Sequence, residues 1–101
     1  MDFENEVISR FNFLVAEKAF ATPVIISDKK TYIKGVAFRK KRLIIEITNS
    51  SHPADYGCEI RIRSKNKSDK GLVIYSKAKQ DQDKEFRYLD DGAIKVKTLL
   101  G

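Results

Sequence analysis

The chain of 101 residues contains one histidine and one cysteine, His52 and Cys58, which are the side chains best suited to nucleophilic chemistry. Such catalysis requires a nucleophile beside a base that a third group orients. Cys58, however, has the same parity as Ile60 and Ile62 in a segment that alternates apolar and polar residues, so we expect its thiol to point into the core. His52 precedes Pro53 and is typical of a solvated loop. We therefore expect that the protein is not an enzyme.

The sequence also lacks the residues that a metal site or a cofactor site needs. A zinc site uses three or four ligands, usually with paired Cys-x-x-Cys or His-x-x-x-His spacings, and no such spacing occurs. A site would have to combine His52, Asp55 and Cys58 with a ligand from elsewhere. The five glycines are scattered and match no phosphate-binding loop. We predict neither a metal nor a cofactor.

The segment from Asn49 to Gly57 has the most distinctive composition in the chain, Asn-Ser-Ser-His-Pro-Ala-Asp-Tyr-Gly. Asn, Ser, Pro and Asp all favour turns, so an ordinary connection between strands explains most of it. The segment also places His52, Asp55 and Tyr56 at one end of the predicted sheet, and loops on a rigid scaffold often carry binding residues. A plain connection and a recognition loop are both compatible with the sequence.

Positive charge is concentrated in the middle of the chain. The formal net charge is +6, and residues 29–70 hold 12 basic and 4 acidic side chains, whereas residues 1–28 hold 2 basic and 5 acidic ones. One basic group is predicted at a hairpin tip, and another runs from Arg61 to Lys70 along one strand face into the next turn. The candidate binding residues of this region are Arg39, Lys40, Lys41, Arg42, Glu46, Arg61 and Arg63.

A basic surface of this kind can attract an acidic protein or the phosphates of a nucleic acid. It is equally typical of solvated turns and of strands protected against aggregation. A nucleic-acid binder would interleave aromatic residues for stacking, but the chain offers only four tyrosines as candidates and no RNP-like string. We predict a non-catalytic protein-binding module, whose partner could also be a second copy of the chain, with nucleic-acid binding as the alternative.

The elements that position these residues begin with a helix. Apolar residues from Phe3 to Ala19 recur at helical spacing, Asp2 is a candidate N-cap, and Thr22-Pro23 is expected to end the helix. From Val24 to Lys77 the period changes to about two, which is typical of strands. Short connections favour an antiparallel meander.

Alternating charges predict the register of two of these strands. If Glu46 lies opposite Arg61, then Ile45 faces Ile62 and Ile47 faces Ile60. A shift of two residues would instead place Glu46 opposite another glutamate. Gly35, in the preceding strand, marks either a bulge or close packing.

Residues 83–100 allow two interpretations. As a helix, they place Phe86, Leu89, Ala93 and Val96 on one face, which would cover the sheet. As a hairpin, Asp91-Gly92 would form the turn. We favour the helix, because one helix rarely covers four strands.

We therefore predict a single α+β domain, residues 1–101, with an antiparallel meander of four to five strands and both helices on one face. Without the second helix, the apolar face would need a dimer partner. The predicted core consists of Val7, Phe11, Leu14, Val15, Leu43, Ile45, Ile47, Ile60 and Ile62.

This order of elements, with the strand Leu43–Ile47 followed by the segment His52–Gly57, resembles small uncharacterised bacterial α+β proteins. Some of these are predicted to be immunity proteins against polymorphic toxins. The resemblance implies a stoichiometric inhibitor that binds a toxin domain without catalysis. The positive net charge is a departure from this resemblance. An immunity protein against a nuclease would more usually be acidic, because it imitates nucleic acid.

The sequence also predicts a cytoplasmic protein that does not bind membranes. No apolar run approaches the ~18 residues of a membrane span. The chain opens Met-Asp-Phe-Glu rather than with a basic segment followed by an apolar one. A single cysteine excludes an internal disulfide framework.

Overall fold

The computed structural model describes residues 2–28, 30, 32–50, 57–66 and 68–101. Within them, the helices are α1 (Phe3–Arg10), α2 (Phe13–Ala16) and α3 (Arg87–Leu100), and a 3₁₀ turn, Lys79–Asp81, precedes α3. The strands are β1 (Val24–Asp28), β2 (Ile33–Lys40), β3 (Leu43–Ser50), β4 (Cys58–Ser64) and β5 (Leu72–Lys77). They form one antiparallel sheet in the order β1-β2-β3-β4-β5. The predicted α+β meander is confirmed. No helix among these residues has the length and apolar content needed to cross a membrane.

The N-terminal helix begins where the sequence predicts but ends earlier. The Asp2 carboxylate accepts a hydrogen bond from the Asn5 backbone N–H at 2.9 Å, so Asp2 is the N-cap. The prediction of one continuous helix up to Thr22-Pro23 is wrong, because the helix breaks after Arg10 and its second part ends at Ala16. The chain then turns to bury Phe20, whose N–H bonds to the Leu14 carbonyl at 2.9 Å. Burying this aromatic ring outweighs further helical hydrogen bonds.

The register of β3 and β4 is the predicted one. Glu46 lies opposite Arg61, Ile45 opposite Ile62 and Ile47 opposite Ile60. Gly35 marks close packing and not a bulge, since a Cβ there would collide with the backbone of β3. The irregularity in strand pairing lies instead between β4 and β5, where Ile74 has no register partner.

The C-terminal residues form a helix, so the hairpin alternative is wrong. The helix starts at Arg87, four residues after Asp83, whose carboxylate accepts hydrogen bonds from the N–H groups of Arg87 and Tyr88 at 3.0 and 3.2 Å. These donors hold the pKa of Asp83 below its usual value. Gly92 does not break the helix. A Cβ at Gly92 would lie 2.6 Å from Ile60 Cδ1, so the absence of a side chain lets α3 approach the sheet closely.

Helices and sheet share one apolar core. Six predicted core residues are fully buried, namely Val7, Phe11, Leu14, Ile45, Ile47 and Ile60; the other three, Val15, Leu43 and Ile62, are partly buried against them. The predicted core omits several aromatic residues that are buried in the structure, among them Phe13, Phe20 and Phe38. By strand alternation, one sheet face contributes Val36, Phe38 and Ile45 to this core, and we call it the helix-covered face. The opposite face, which carries Ala37, Ile44, Glu46, Arg61 and Arg63, is the open face.

Candidate binding site

The two basic groups of the sequence meet at one end of the sheet. The turn between β2 and β3 consists of Lys41 and Arg42, and the Arg42 carbonyl accepts a hydrogen bond from the Lys65 N–H at 3.0 Å. Leu43 pairs with Ser64 in the same row. The hairpin tip therefore lies directly beside the turn that follows β4, and we call this region the basic end.

An open groove of about 570 Å³ runs across the basic end. Its lining combines basic side chains with two half-buried apolar ones, Leu43 and Ile62. The described residues that line it are Lys40, Lys41, Arg42, Leu43, Ile62, Arg63, Ser64 and Asp69. A second open groove of about 450 Å³ is lined by Glu46, Arg61, Arg63, Asp69 and Lys70. Because Arg63 and Asp69 line both, the two grooves form one continuous surface around the end of the sheet.

The arginines of β4 are held by carboxylates on the open face. Arg63 contacts both oxygens of Glu46, with Nε at 3.0 Å from Oε1 and Nη2 at 3.4 Å from Oε2. Glu46 thus forms its ion pair with Arg63, which lies diagonally across from it, and not with Arg61, which lies directly opposite in β4. Arg61 instead contacts Glu59 at 3.2 Å and donates to the Lys70 carbonyl at 2.6 Å. Both arginines are therefore fixed in place, with much of their charge compensated.

Other cations of the basic end keep their charge available. Among the described residues, no carboxylate lies within ion-pair distance of Lys41, Arg42, Lys65 or Lys70. All four are exposed. Lys40 differs from them, because its ammonium group lies 5.7 Å from the centre of the Phe20 ring. The positive potential at this end of the sheet therefore comes mainly from the turn residues.

Lys41 adopts a backbone conformation that costs free energy. Its φ of 51° lies in the left-handed region, which costs roughly 1 kcal/mol for a residue with a side chain. Two-residue hairpin turns prefer Asn-Gly or a glycine for this reason. A lysine and an arginine stand here instead.

Asp69 shapes the turn that borders both grooves. Its carboxylate accepts hydrogen bonds from the backbone N–H groups of Ser64 and Gly71, both at 2.8 Å. These donors hold the pKa of Asp69 below its usual value, so the side chain is ionised at neutral pH. Asp69 therefore adds a fixed negative charge to a mainly positive surface.

Arg39 lies apart from the groove. Its side chain is exposed, it pairs in register with Ile44, and its carbonyl accepts a hydrogen bond from the Ala21 N–H at 2.9 Å. Of the four consecutive basic residues Arg39–Arg42, only Lys40, Lys41 and Arg42 are among the described residues that line the groove.

The predicted recognition loop is described only at its ends. His52, Asp55 and Tyr56 lie outside the described residues, and β3 extends through Ser50, further than the sequence predicts. Asn49 belongs to this strand, where its side-chain amide exchanges two hydrogen bonds with Gln82, at 3.1 and 3.2 Å. This pair joins β3 to the segment before α3. It spans 33 positions, and we find no pattern in the sequence that signals it.

Cys58 is completely buried at the start of β4. Burial, with a smaller contribution from the neighbouring Glu59, raises the pKa of its thiol to about 12. The protonated form therefore dominates at neutral pH, where only the thiolate is a strong nucleophile. This agrees with the position predicted from strand parity.

The sequence analysis did not identify the apolar part of the groove. Leu43 and Ile62 were assigned to the core, and both are only partly buried because they lie in the last rows of the sheet. The signal available in the sequence was that both residues lie close to the two predicted turns of the basic end. Among the described residues, no group of His, Cys, Asp and Glu side chains could hold a metal ion. Comparison with protein-family models, with curated proteins and with solved structures finds no match to this chain.

Proposed function

We propose that this protein is a non-catalytic binding module whose basic end docks an acidic segment of a partner protein. The observation that carries this proposal is the meeting of the Lys41-Arg42 turn with Lys65 around a groove that contains Leu43 and Ile62. Basic side chains attract and orient an acidic chain, while an apolar surface beside them gives the bound state most of its affinity.

The composition of the grooves favours a protein over a nucleic acid. Among the described residues, no aromatic ring lines either groove, whereas single-stranded nucleic acids are held largely by base stacking. The exposed carboxylate of Asp69 belongs to this surface and would repel a phosphate backbone, which carries a charge at every nucleotide, whereas a peptide can place an uncharged residue at that point. A protein segment can also place a hydrogen-bond donor beside this carboxylate.

The experiment is an NMR titration with a synthetic peptide that carries aspartates and glutamates around one leucine. We expect the amide shifts of Lys40–Arg42 and of Ser64–Lys65 to change most. Replacing Lys41→Glu and Arg42→Glu together should lower the affinity at least about tenfold. The matched control, Lys84→Glu with Lys95→Glu, makes the same change in net charge at exposed lysines elsewhere and should have little effect.

Two results would contradict the proposal. Equal weakening by both double variants would mean that the peptide responds only to net charge. Binding of a short DNA duplex at the same amides, with a steep loss of affinity in added salt and no binding of the peptide, would support the nucleic-acid alternative.

A narrower proposal follows from the resemblance to immunity proteins. In that case the partner is a toxin domain in the bacterial cytoplasm, and the basic end requires an acidic surface on the toxin. A toxin encoded beside this chain should then be inhibited at one-to-one stoichiometry, and the Lys41→Glu, Arg42→Glu variant should fail to inhibit it.

A further inference from the structure

The two edge strands of the sheet differ in how well they are protected from pairing with another strand. At β5, the pairing with β4 is irregular around Ile74, and Lys70 and Lys77 flank the apolar residues. Bulges and lysines are common devices that prevent pairing between edges. At β1, the pairing with β2 is regular along all five residues, and the strand contains no lysine or arginine; Pro23 lies just before its first residue.

The side chains of β1 are also unusually apolar for an edge. Val24, Ile25 and Ile26 are three successive β-branched residues, and Val24 and Ile25 are 49% and 58% exposed. Ile25 lies opposite Val36 of β2, and its side chain is therefore on the helix-covered face. It does not belong to the core cluster on that face. A regular apolar edge of this kind is a template for another strand.

The sequence of β1 is complementary to itself in the antiparallel direction. When two copies are related by a two-fold axis through Ile25, each Val24 lies opposite the other copy's Ile26, and the two Ile25 side chains lie opposite each other. Apolar residues then meet apolar residues on both faces. Asp28 lies opposite Thr22, whose hydroxyl can donate to the carboxylate, and no like charges are opposed.

Charge does not oppose this arrangement. Most of the positive charge of the chain belongs to residues 29–70, and between Thr22 and Asp28 there is no basic side chain. Val24 pairs with Ala37, so the Lys41-Arg42 turn lies near the Val24 end of β1. In an antiparallel pair the two Val24 ends point in opposite directions. The two basic ends are therefore directed away from each other. A symmetric pair closes on itself and leaves β5 as the outer edge of both copies.

We propose that two copies of the chain form a symmetric dimer by antiparallel pairing of β1 with β1 about Ile25, which makes one continuous sheet. This inference does not depend on the function proposed for the basic end, which stays exposed at both ends of the dimer.

Sedimentation equilibrium of the full chain over a range of concentrations tests the dimer. We expect a reversible dimer whose dissociation constant rises at least about tenfold in the Ile25→Lys variant, because two lysines would then face each other. The Ile25→Glu variant should be monomeric for the same reason. Mixing the two variants should restore the dimer, because opposite charges would meet at the axis. Ile25 is 58% exposed, so the thermal unfolding of the isolated variants should change little.

The matched control is Val73→Lys, which places a lysine on the other edge strand at a residue that is 39% exposed. It should leave the dissociation constant unchanged. A second measurement uses Ile25→Cys, which adds an exposed thiol to a chain whose own Cys58 is buried. Opposed residues of an antiparallel pair lie within disulfide distance, so mild oxidation should link two copies. A monomeric wild-type chain, or a dimer weakened by Val73→Lys and not by Ile25→Lys, would overturn the proposal.

Discussion

The two faces of the sheet bury apolar side chains in different ways. On the helix-covered face, Ile45 belongs to a continuous core with α1 and α3 and is completely buried. On the open face, Ile44 is almost as buried, at 4% exposure, yet it lies outside that core. Its register neighbours are Arg39 and Arg63, whose aliphatic stems can cover an apolar side chain. We infer that packing in a core buries Ile45, whereas long polar side chains bury Ile44 to a similar degree.

The largest expected effect separates these two kinds of burial at adjacent positions. Ile45→Ala should lower the free energy of unfolding by about 3–4 kcal/mol, because a rigid core retains the cavity. Ile44→Ala should cost only about 1–2 kcal/mol, because the exposed side chain of Arg39, its register neighbour, can move into the space that the isoleucine leaves. Urea denaturation of both variants measures the difference. Equal losses would show that the open face is as rigid as the core.

The next prediction compares the ion pairs beside the core with those on the open face of the sheet. Beside the core, Arg10 joins α1 to α3 through hydrogen bonds to Asp90 at 2.9 Å and to the Glu85 carbonyl at 2.7 Å. Arg10→Ala should cost about 1–2 kcal/mol, because charge-assisted hydrogen bonds between elements are lost. The control is Arg87→Ala, whose pairing with Glu85 joins two largely exposed side chains and should change stability by less than about 0.5 kcal/mol.

On the open face, the half-buried pair of Glu46 and Arg63 should contribute less than the Arg10 contacts. Glu46→Gln keeps the shape of the side chain and removes its charge, and we expect a loss of about 0.5–1 kcal/mol that shrinks in added salt. Glu59→Gln, in the single contact with Arg61, should cost less still. Thermal unfolding at two salt concentrations is the measurement. An unchanged stability in Glu46→Gln would mean that the charge of Glu46 does not stabilise the fold at this position.

The smallest effect has the opposite sign. Lys41→Gly removes a side chain from a left-handed position and should stabilise the fold by roughly 0.5 kcal/mol. The same variant should bind the acidic peptide more weakly than the wild type. Measuring both quantities tests whether the turn exchanges stability for a binding side chain. Stabilisation with unchanged peptide affinity would remove Lys41 from the site.

The sheet was the most predictable part of the fold. Strict alternation in β4 and a single acidic residue at Glu46 were enough to select one register, because the alternative opposed like charges. At residues 87–100 the sequence allowed a helix or a hairpin, and the helix was favoured because the apolar face of the sheet needs cover. The end of the N-terminal helix did not, because Phe20 leaves the helical pattern to fill a space that exists only when the sheet is present.

The candidate site was predictable only in its basic residues. Clustering in the sequence identified Lys40–Arg42, but the diagonal pairing of Glu46 with Arg63 depends on side-chain reach, which strand parity does not encode. The contact between Asn49 and Gln82 joins two segments far apart in the chain. Polar contacts of this kind have no periodicity, so the sequence does not signal them.

The turn between β2 and β3 has a consequence for the affinity of the binding that we propose at the basic end. A loop of two residues closed by strand pairing on both sides has almost no alternative backbone shape. The two cations are therefore presented from a frame that is already ordered before any partner arrives. A ligand that meets them loses little free energy to ordering the backbone of the loop, so even a small contact area could hold it.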